Sequence, residues 1–449
     1  MRLVVIGGTA AGLSAASRVR KYLPDADITV IERTGYVSYG SCGLPYYVSG
    51  VINEADALVS LTPADLVAKR GMKVLLHHEA VALDRVEKTV SVTDLRNGGK
   101  LLLPYDALVL ATGASALTPS ALSVKADNVF TLRTVENGIA IRQSLAGAKR
   151  AVIIGGGYIG LEMVDAFMAQ GIHVDLFEAA DRLLPDLNPK FSDSVLDTLK
   201  AHGVSLHLGA TVEEILLQGG RAVGVKACQV EYPADIVLIC VGVRPNASLA
   251  KAAGLATEPN GAITVDSHQR TSDRAIWACG DCACTTNRIT GQRCYAPLGT
   301  NANKQGRVAG ACISGKDAAF PGVLPSQITK VFELYIASTG LNIQQAAQAG
   351  FHAAHTLIHK GDRASYYPGG RESELCLVFD RASGRILGAQ GIGGESIAGR
   401  INVLATAITC NMPVQDIAQL DLVYAPPVAP VYDPILIAGE CAVKELGSK

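Results

Sequence analysis

The sequence predicts an α/β protein with two doubly wound domains, each a mostly parallel sheet covered by helices, and an α+β domain after them. Two observations lead to this prediction. A short apolar strand, a glycine-rich turn, a helix and a second apolar strand occur in that order twice, with turn glycines at Gly7 and Gly155. From about Pro325 the pattern changes to strands separated by helical stretches, which is typical of an α+β domain.

Each repeated unit is predicted to contain two strands with a helix between them. In the first unit we expect strands at residues 3–6 and 28–31, with a helix to about Tyr22 between them. In the second, strands at 151–154 and 173–177 flank a helix that runs through Ala169. Buried strands at 105–113 and 235–242 close the two units, and the third domain has strands at 373–379 and 386–392. These patterns predict a discontinuous first domain of residues 1–113 and 245–324, a second of 114–244 and a third of 325–449.

Composition excludes several classes of protein. The 449 residues include 40 basic and 41 acidic ones, so the net charge of -1 provides no electrostatic footprint for nucleic acid or an anionic membrane. The apolar runs are far shorter than the roughly 20 residues that span a bilayer. The first strand begins almost at Met1 and leaves no room for a signal peptide, so we expect a cytoplasmic protein. We expect the 11 cysteines to be reduced and no metal to be bound, because the Cys279 and Cys282 pair has no second pair at zinc-site spacing.

Both glycine turns have the spacing of a dinucleotide-binding motif. Such a turn lets the backbone approach a pyrophosphate at a helix N-terminus, and a carboxylate about 20 residues later binds the adenosine ribose. The motif is complete in the second unit and lacks only the middle glycine in the first, as the two sets show: Gly155, Gly157, Gly160 and Glu178, against Gly7, Thr9, Gly12 and Glu32. Two copies predict two dinucleotides, FAD at the first turn and a pyridine nucleotide at the second. Glu178 would repel a 2′-phosphate, which favours NADH over NADPH.

A segment after the first unit, residues 38–47, reads Ser-Tyr-Gly-Ser-Cys-Gly-Leu-Pro-Tyr-Tyr and contains Cys42. It resembles the active-site stretch of the pyridine nucleotide-disulphide oxidoreductases, and later blocks at 111–113, 280–281, 297–299, 302–306 and 424–427 also resemble that family. Because Cys42 is expected at a helix start, with Pro45 in the first turn, we expect the helix dipole to favour its thiolate. The resemblance extends over the whole chain.

The resemblance implies a set of cofactor-binding residues drawn from the two turns, the strand ends and the later blocks. Within it, Asp281 is expected to accept hydrogen bonds from the FAD ribityl chain, and Tyr158 to cover the flavin until the nicotinamide displaces it. The whole set is Gly7, Gly8, Ala11, Gly12, Glu32, Arg33, Ala111, Thr112, Gly113, Gly155, Gly157, Tyr158, Ile159, Gly160, Glu178, Gly242, Gly280, Asp281, Pro297 and Gly299.

Cys42 lacks a neighbouring cysteine. Family members with two cysteines carry the second one shortly before the first, where this chain has Val37 and Ser38. The chain therefore resembles the single-cysteine branch, closest to the coenzyme A-disulphide reductases and NAD(P)H-dependent persulphide reductases, in which the cysteine forms a mixed disulphide with coenzyme A. This implies a homodimer in which Tyr367 and Tyr424 of one subunit complete the active site of the other and assist the departing thiolate.

Coenzyme A is a polyanion, and the first helix supplies basic residues near the Cys42 domain. For Arg20 we expect an ordinary position on the solvated face of this helix and not a contact with coenzyme A. The coenzyme A-binding residues implied by the resemblance are Ser14, Arg18, Lys21, Ser38, Ser41, Arg70 and Asn303.

Two other functions remain open at this point. One is an NADH oxidase or peroxidase that cycles Cys42 through a sulphenic acid; members with that activity carry a His in the first glycine turn, where this chain has Ala10. Polysulphide is also an open substrate, and its reduction is grouped here with that of coenzyme A persulphide. The other is a flavin-based sensor of thiol state with little turnover, which would show a negligible rate with every acceptor.

Overall fold

The structure is a computed structural model and describes residues 1–447. The last two residues of the predicted third domain lie outside that range. The first elements along the chain are β1 (Arg2–Ile6), α1 (Ala10–Tyr22), β2 (Asp27–Glu32), α2 (Leu44–Val48), α3 (Pro63–Arg70), β3 (Lys73–Leu76), β4 (His78–Asp84), β5 (Thr89–Asp94), β6 (Lys100–Pro104) and β7 (Ala107–Leu110).

The middle of the chain repeats the same alternation of strands and helices. Its elements are β8 (Ala114–Ala116), β9 (Val129–Phe130), α4 (Val135–Ser144), β10 (Arg150–Ile154), α5 (Tyr158–Ala169), β11 (His173–Glu178), α6 (Pro189–Ala201), β12 (Ser205–Leu208), β13 (Val212–Gln218), β14 (Arg221–Ala227), β15 (Val230–Pro233), β16 (Ile236–Ile239), β17 (Val243–Pro245) and α7 (Ser248–Ala252).

The remaining elements include the longest strands of the protein. They are β18 (Ile276–Ala278), β19 (Thr285–Thr286), β20 (Arg293–Cys294), α8 (Gly299–Ile313), β21 (Gln327–Val331), β22 (Leu334–Gly340), α9 (Ile343–Gln348), β23 (Ala353–Gly361), β24 (Glu372–Asp380), β25 (Ile386–Gly393), α10 (Ile397–Thr409), α11 (Val414–Ile417) and α12 (Pro434–Gly447).

Two parallel five-stranded sheets form the doubly wound part of the molecule. Their strand orders are β18-β7-β1-β2-β3 and β12-β11-β10-β16-β9, so β1 and β10 are the central strands. β7 and β16 are buried at every position, as the continuous apolar sequence of a parallel strand requires. Because β18 comes late in the chain yet pairs with β7, the polypeptide leaves the first sheet and returns to it.

The third large sheet is antiparallel, with the order β21-β22-β25-β24-β23. Helices α10 and α12 contribute buried apolar residues to its core, which includes the fully buried Leu404 and Ala438. Two three-stranded antiparallel sheets, β4-β5-β6 and β13-β14-β15, lie beside the parallel sheets. The predicted fold class, two doubly wound domains and an α+β domain, is therefore confirmed.

Helices α1 and α8 pack unusually closely against each other, because glycines of α8 face the α1 backbone. A Cβ atom on Gly306 would lie 2.2 Å from the Ala11 carbonyl oxygen, and one on Gly310 would lie 2.4 Å from that of Ala15. This contact holds α8 against the helix that follows the first glycine turn.

Residues 1–447 hold no helix that is long and apolar enough to cross a membrane. Over the same range, no group of three or more His, Cys, Asp and Glu side chains is placed to hold a metal ion.

Candidate active site

The two glycine turns open into one cleft. It has a volume of about 1720 Å³ and lies at the carboxyl ends of β1 and β10, where ligands bind in open α/β sheets. Cys42 lines this cleft, and so does Gln327 from the third sheet. The cleft thus brings together all three large sheets of the molecule.

The first glycine turn is built so that only glycine fits its tight positions. Gly7 has φ +111°, and a Cβ there would lie 2.0 Å from the Ala111 carbonyl oxygen. A Cβ on Gly12 would lie 1.9 Å from the Gly7 carbonyl oxygen, so this glycine allows α1 to start directly behind β1. Glu32 accepts a hydrogen bond from the Gly8 N–H at 2.9 Å, which places its carboxylate beside the turn.

The second turn repeats this geometry. Glu178 accepts from the Gly156 N–H at 2.7 Å, as Glu32 does from Gly8, and the Gly160 Cβ position is blocked by the Gly155 carbonyl oxygen. Gly157 differs, because no atom lies within 4 Å of its Cβ position and a side chain there would fill open space at the helix N-terminus. Two cradles of this shape fit the pyrophosphates of two dinucleotides.

Cys42 lies in a short 3₁₀ turn, Ser41–Gly43, directly before α2. Its thiol is exposed to the cleft, yet the surrounding protein partly desolvates it, and this raises its pKa; the negative charge of Glu162 adds to the effect, while a hydrogen bond to Ser41 opposes it. The helix start was expected to favour the thiolate, but the net shift of the pKa of Cys42 is upward, and desolvation is its largest cause. Helix α2, which follows this thiol, has only five residues.

Glu162 also lines the cleft, one turn along α5 from Tyr158. It accepts a hydrogen bond from the Thr329 hydroxyl at 2.8 Å, and burial raises its pKa. The strand β21 thus holds this carboxylate in place in the cleft that Cys42 also lines.

Tyr158 is held from the same strand. The Gln327 Nε2 donates a hydrogen bond to the Tyr158 hydroxyl oxygen at 2.7 Å, and both residues line the cleft. Further along α5, Asp165 accepts from the Phe332 N–H and pairs with Lys330. One face of α5 is therefore fastened to β21 along its length.

Arg133 is a cleft residue that the motifs did not reveal. It pairs with Asp281 at 3.0 Å and donates to the Ala114 carbonyl oxygen, so this ion pair lies in the wall of the cleft. It lies just before α4, in a stretch without glycine or cysteine, and its position depends on the tertiary fold.

The cleft collects most of the predicted cofactor residues. Three of the set lie behind its surface, because Gly8 bonds to Glu32 and both Gly12 and Gly160 pack on turn carbonyls. The residues that line it are Gly7, Ala11, Glu32, Arg33, Ala111, Thr112, Gly113, Gly155, Gly157, Tyr158, Ile159, Glu178, Gly242, Gly280, Asp281, Pro297 and Gly299.

The predicted coenzyme A residues are divided between the cleft and the α1–α8 surface beside it. Ser41 lines the cleft, and Ser38, with φ +53°, donates its N–H to the Gly8 carbonyl oxygen. Ser14 donates to Asn303 Oδ1 at 2.7 Å, joining α1 to α8. Arg70 ends α3, where its carbonyl oxygen accepts from Arg20, and Arg20 is thus occupied in holding α3 against α1.

A cluster of cations continues this surface. Arg18, Lys21 and Lys316 lie 5.8, 6.0 and 5.6 Å from the centre of the half-exposed Tyr22 ring. Within the part of the chain that the structure describes, none of the three forms an ion pair with a carboxylate. The three cations form a positively charged strip on α1 and just after α8, and the first turns of both helices line the cleft.

The two predicted tyrosines lie elsewhere, on exposed loops of the third domain. The Tyr424 hydroxyl is 3.3 Å from the hydroxyl of Tyr366, the residue before the predicted Tyr367. Within one chain the structure does not bring either predicted tyrosine to the cleft that holds Cys42.

Comparison with known proteins decides the family. Residues 1–306 match the family described as pyridine nucleotide-disulphide oxidoreductase, and residues 326–433 match its dimerisation domain. The chain belongs to the pyridine nucleotide-disulphide oxidoreductases. It is accordingly an FAD-dependent oxidoreductase that uses NAD(P)H.

Relatives within this family carry different names. An NAD(P)H coenzyme A polysulfide/persulfide reductase of Pyrococcus horikoshii is 38% identical over 441 residues, covering 97% of each chain. An NADH oxidase of Methanocaldococcus jannaschii is 36% identical and covers 100% of both chains. The solved structure of an NAD-dependent persulfide reductase from A. fulgidus is 42% identical in sequence. It matches with a TM-score of 0.95, and the match covers 99% of this chain and 83% of that one.

Proposed function

We propose that this family member reduces coenzyme A disulphide or coenzyme A persulphide with NAD(P)H, using Cys42 as its single redox thiol. The observation that carries the proposal is the cationic strip of Arg18, Lys21 and Lys316 around Tyr22. It lies on α1 and just after α8, two helices whose first turns line the cleft that holds Cys42. A strip of this kind suits a thiol that ends in a polyanionic nucleotide. The name of the Pyrococcus horikoshii relative supports the same substrate class.

The position of Cys42 supports a mixed disulphide with the substrate. Among the described residues, Cys42, Cys240 and Cys279 line the cleft, and Cys42 is the exposed one. Cys279 is buried, and burial raises the pKa of Cys240 to about 12, so neither thiol is suited to attack a substrate. The Cys42 thiolate attacks one sulphur of coenzyme A disulphide, forming the Cys42–S–S–coenzyme A bond and releasing one coenzyme A thiolate. Two electrons then cleave that bond, which releases the second coenzyme A thiolate and restores the Cys42 thiolate.

The remaining groups have supporting roles in this proposal. When bound, FAD accepts a hydride equivalent from NAD(P)H and supplies the electron pair to sulphur. Residues 1–113 and 245–324 hold FAD, and residues 114–244 hold the nicotinamide nucleotide. Glu178 at the second turn favours NADH.

The third domain, residues 325–449, forms the homodimer in this proposal. The exposed pair of Tyr366 and Tyr424 then reaches the partner's cleft, where a tyrosine hydroxyl donates a proton to the departing thiolate. The match to a dimerisation domain supports this arrangement.

An NADH oxidase is the second candidate, and the name of the Methanocaldococcus jannaschii relative favours it. In this chain Ala10 lines the cleft at the first turn and offers no group for proton transfer to peroxide or oxygen. Reduction of sulphur therefore suits this cleft better.

Parallel steady-state assays test the proposal. Purified enzyme with NADH is given coenzyme A disulphide, coenzyme A persulphide, hydrogen peroxide or oxygen. We expect the coenzyme A substrates to be reduced fastest, and Cys42→Ser to lose that activity while its flavin is still reduced by NADH. Cys228→Ser, which changes an exposed cysteine on the β14–β15 hairpin, is the control and keeps the activity. Fast turnover with peroxide or oxygen alone would exclude the proposed function.

A further inference from the structure

A buried ion pair lies in the third domain, between α10 and the start of α12. Arg400 is 5% exposed and Asp433 is 7% exposed. The Arg400 Nε lies 3.1 Å from both carboxylate oxygens of Asp433, and its Nη2 lies 2.9 Å from Oδ2. Burying such a pair requires both charges to lose their water, so it often stabilises a protein no more than apolar residues of the same size would. A role other than stability is therefore worth seeking for Arg400 and Asp433.

The Arg400 guanidinium joins three separate segments. Besides Asp433, its Nη2 donates to the backbone carbonyl of Asp362 at 2.9 Å, and its Nη1 donates to the Ser396 hydroxyl at 2.7 Å. Asp433 in turn accepts from the Ile435 N–H at 2.9 Å, which fixes the carboxylate at the start of α12. Arg400 therefore ties α10 to the loop that starts at Asp362 and to the segment that ends at Asp433.

Those two segments carry the tyrosines. The loop of residues 362–371 is closed where Asp362 accepts from the Arg371 N–H at 2.9 Å, and it presents Tyr366 at its tip. The segment of residues 421–433 presents Tyr424. The two touch at their hydroxyls, 3.3 Å apart, and at a backbone hydrogen bond from Ala364 to Pro426.

The tyrosine side chains are themselves poorly anchored. Tyr366 is 74% exposed and Tyr424 is 45% exposed, and their hydroxyls form a hydrogen bond with each other. Their position is consequently set at the base of the two segments, where the Arg400 guanidinium holds the backbone carbonyl of Asp362 and the side-chain carboxylate of Asp433.

We propose that Arg400 is a positioning residue, which with Asp433 holds the Tyr366–Tyr424 pair in the geometry that the reduction of sulphur requires. This inference rests on the proposed function, because it gives the pair a part in the reaction. Arg400 acts through the tyrosines and not on the substrate. Its removal should slow the step that releases coenzyme A thiolate and leave the reduction of the flavin by NADH intact.

A double-mutant cycle on the FAD-loaded enzyme tests this. Arg400→Lys keeps the charge but loses the fork that reaches Asp433 and Asp362 together. We expect it to lower kcat with coenzyme A disulphide by about ten- to a hundredfold, as small misplacements of a reacting group do. We expect Tyr424→Phe to lower kcat as well, and the double variant to be no slower than the worse single variant, because both remove the same contribution.

Leu404→Ala is the matched control for lost stability. Leu404 is fully buried one turn along α10 and faces the core of the third sheet. We expect this variant to lower the melting temperature at least as much as Arg400→Lys, with little loss of kcat. When it is combined with Tyr424→Phe, we expect the effects of the two substitutions on kcat to multiply. Hydrogen–deuterium exchange over residues 421–432 should rise in Arg400→Lys and stay near the wild-type level in Leu404→Ala.

The outcomes separate this inference from the proposed function. If the wild-type enzyme does not reduce coenzyme A substrates, or Tyr424→Phe has wild-type kcat, the function or its tyrosine step is wrong and the inference goes with it. If Tyr424→Phe is slow while Arg400→Lys is not, or the two effects multiply, or exchange over 421–432 does not change, Arg400 is a structural residue only and the proposed function stands.

Discussion

At the scale of single residues, the electrostatics of Cys42 depend on Glu162. Burial and this carboxylate both raise the pKa of the thiol, and the chain counters them with the Ser41 hydrogen bond and the Arg133 charge. The thiolate fraction at neutral pH is therefore smaller than that of an ordinary exposed cysteine.

Removing the Glu162 charge should make Cys42 more reactive. In Glu162→Gln the negative charge is gone, so the pKa of Cys42 falls and more thiolate is present at pH 8. We expect Cys42 to react with iodoacetamide severalfold faster there, with the midpoint of its pH profile shifted to lower pH. The measurement is the rate of alkylation of the Cys42 peptide, followed by mass spectrometry. Asp165→Asn, on the same face of α5, is the control, and an unchanged or slower rate in Glu162→Gln would contradict the expectation.

The two adjacent tyrosines of the 362–371 loop give a second prediction. Tyr366, and not Tyr367, contacts the Tyr424 hydroxyl, so Tyr366→Phe should lower kcat with coenzyme A disulphide more than Tyr367→Phe does. Steady-state kinetics of the two variants side by side measure this, with flavin reduction by NADH as the common control. The opposite order would return the role to Tyr367, as the sequence motif predicts.

These residues also show what the sequence cannot supply. Glycines and the reactive cysteine leave local signals, because backbone geometry and a helix start constrain them. The contact of Tyr366 with Tyr424, where Tyr367 makes none, depends on loops that meet only in the folded chain. The same is true of the ion pair between Arg133 and Asp281. The raised pKa of Cys42 has the same origin, because it comes first from burial in the folded chain and then from the charge of Glu162 on a distant helix.

At the scale of elements, the predicted strands on either side of each glycine turn agree with the structure to within one residue, while the two closing strands are predicted three residues too long at their carboxyl ends. They are continuous apolar runs bounded by glycines, so their signal is strong. The small antiparallel sheets were missed, although Gly219 and Gly220 sit between β13 and β14 with φ +59° and +80°, as a two-residue hairpin turn requires. Their strands are half exposed and mix charged with apolar residues, which weakens the alternation.

The packing of α1 on α8 gives a prediction for stability. In Gly306→Ala the new methyl group meets the Ala11 carbonyl oxygen, so the helices must separate. We expect the free energy of unfolding to fall by about 1–3 kcal/mol, as in other overpacked sites. Urea denaturation measures this.

The matched control is Gly399→Ala on α10, where no atom lies within 4 Å of the Cβ position. There the free energy of unfolding should stay unchanged or rise by about 0.5–1 kcal/mol, because alanine loses less conformational entropy than glycine. Equal losses in the two variants would show that the α1–α8 contact is not tight.

At the scale of the whole molecule, the cleft depends on three sheets at once. The first two supply the glycine turns, and β21 of the third fastens α5 through Tyr158, Glu162 and Asp165. The third domain thus supports the cleft of its own chain, while its exposed Tyr366 and Tyr424 do not line that cleft. This arrangement suits a dimer in which each chain supplies tyrosines to the other.

Hybrid dimers test that arrangement directly. Cys42→Ser and the double variant Tyr366→Phe/Tyr424→Phe should each be nearly inactive with coenzyme A disulphide. If sites form between subunits, a hybrid of the two contains one site with Cys42 and both tyrosines intact and one site with neither. Unfolding and refolding an equal mixture gives random pairing, so activity should recover to about a quarter of the wild-type value. If each site uses its own chain's tyrosines, the mixture stays as inactive as its parents, because every Cys42 then lies with two phenylalanines.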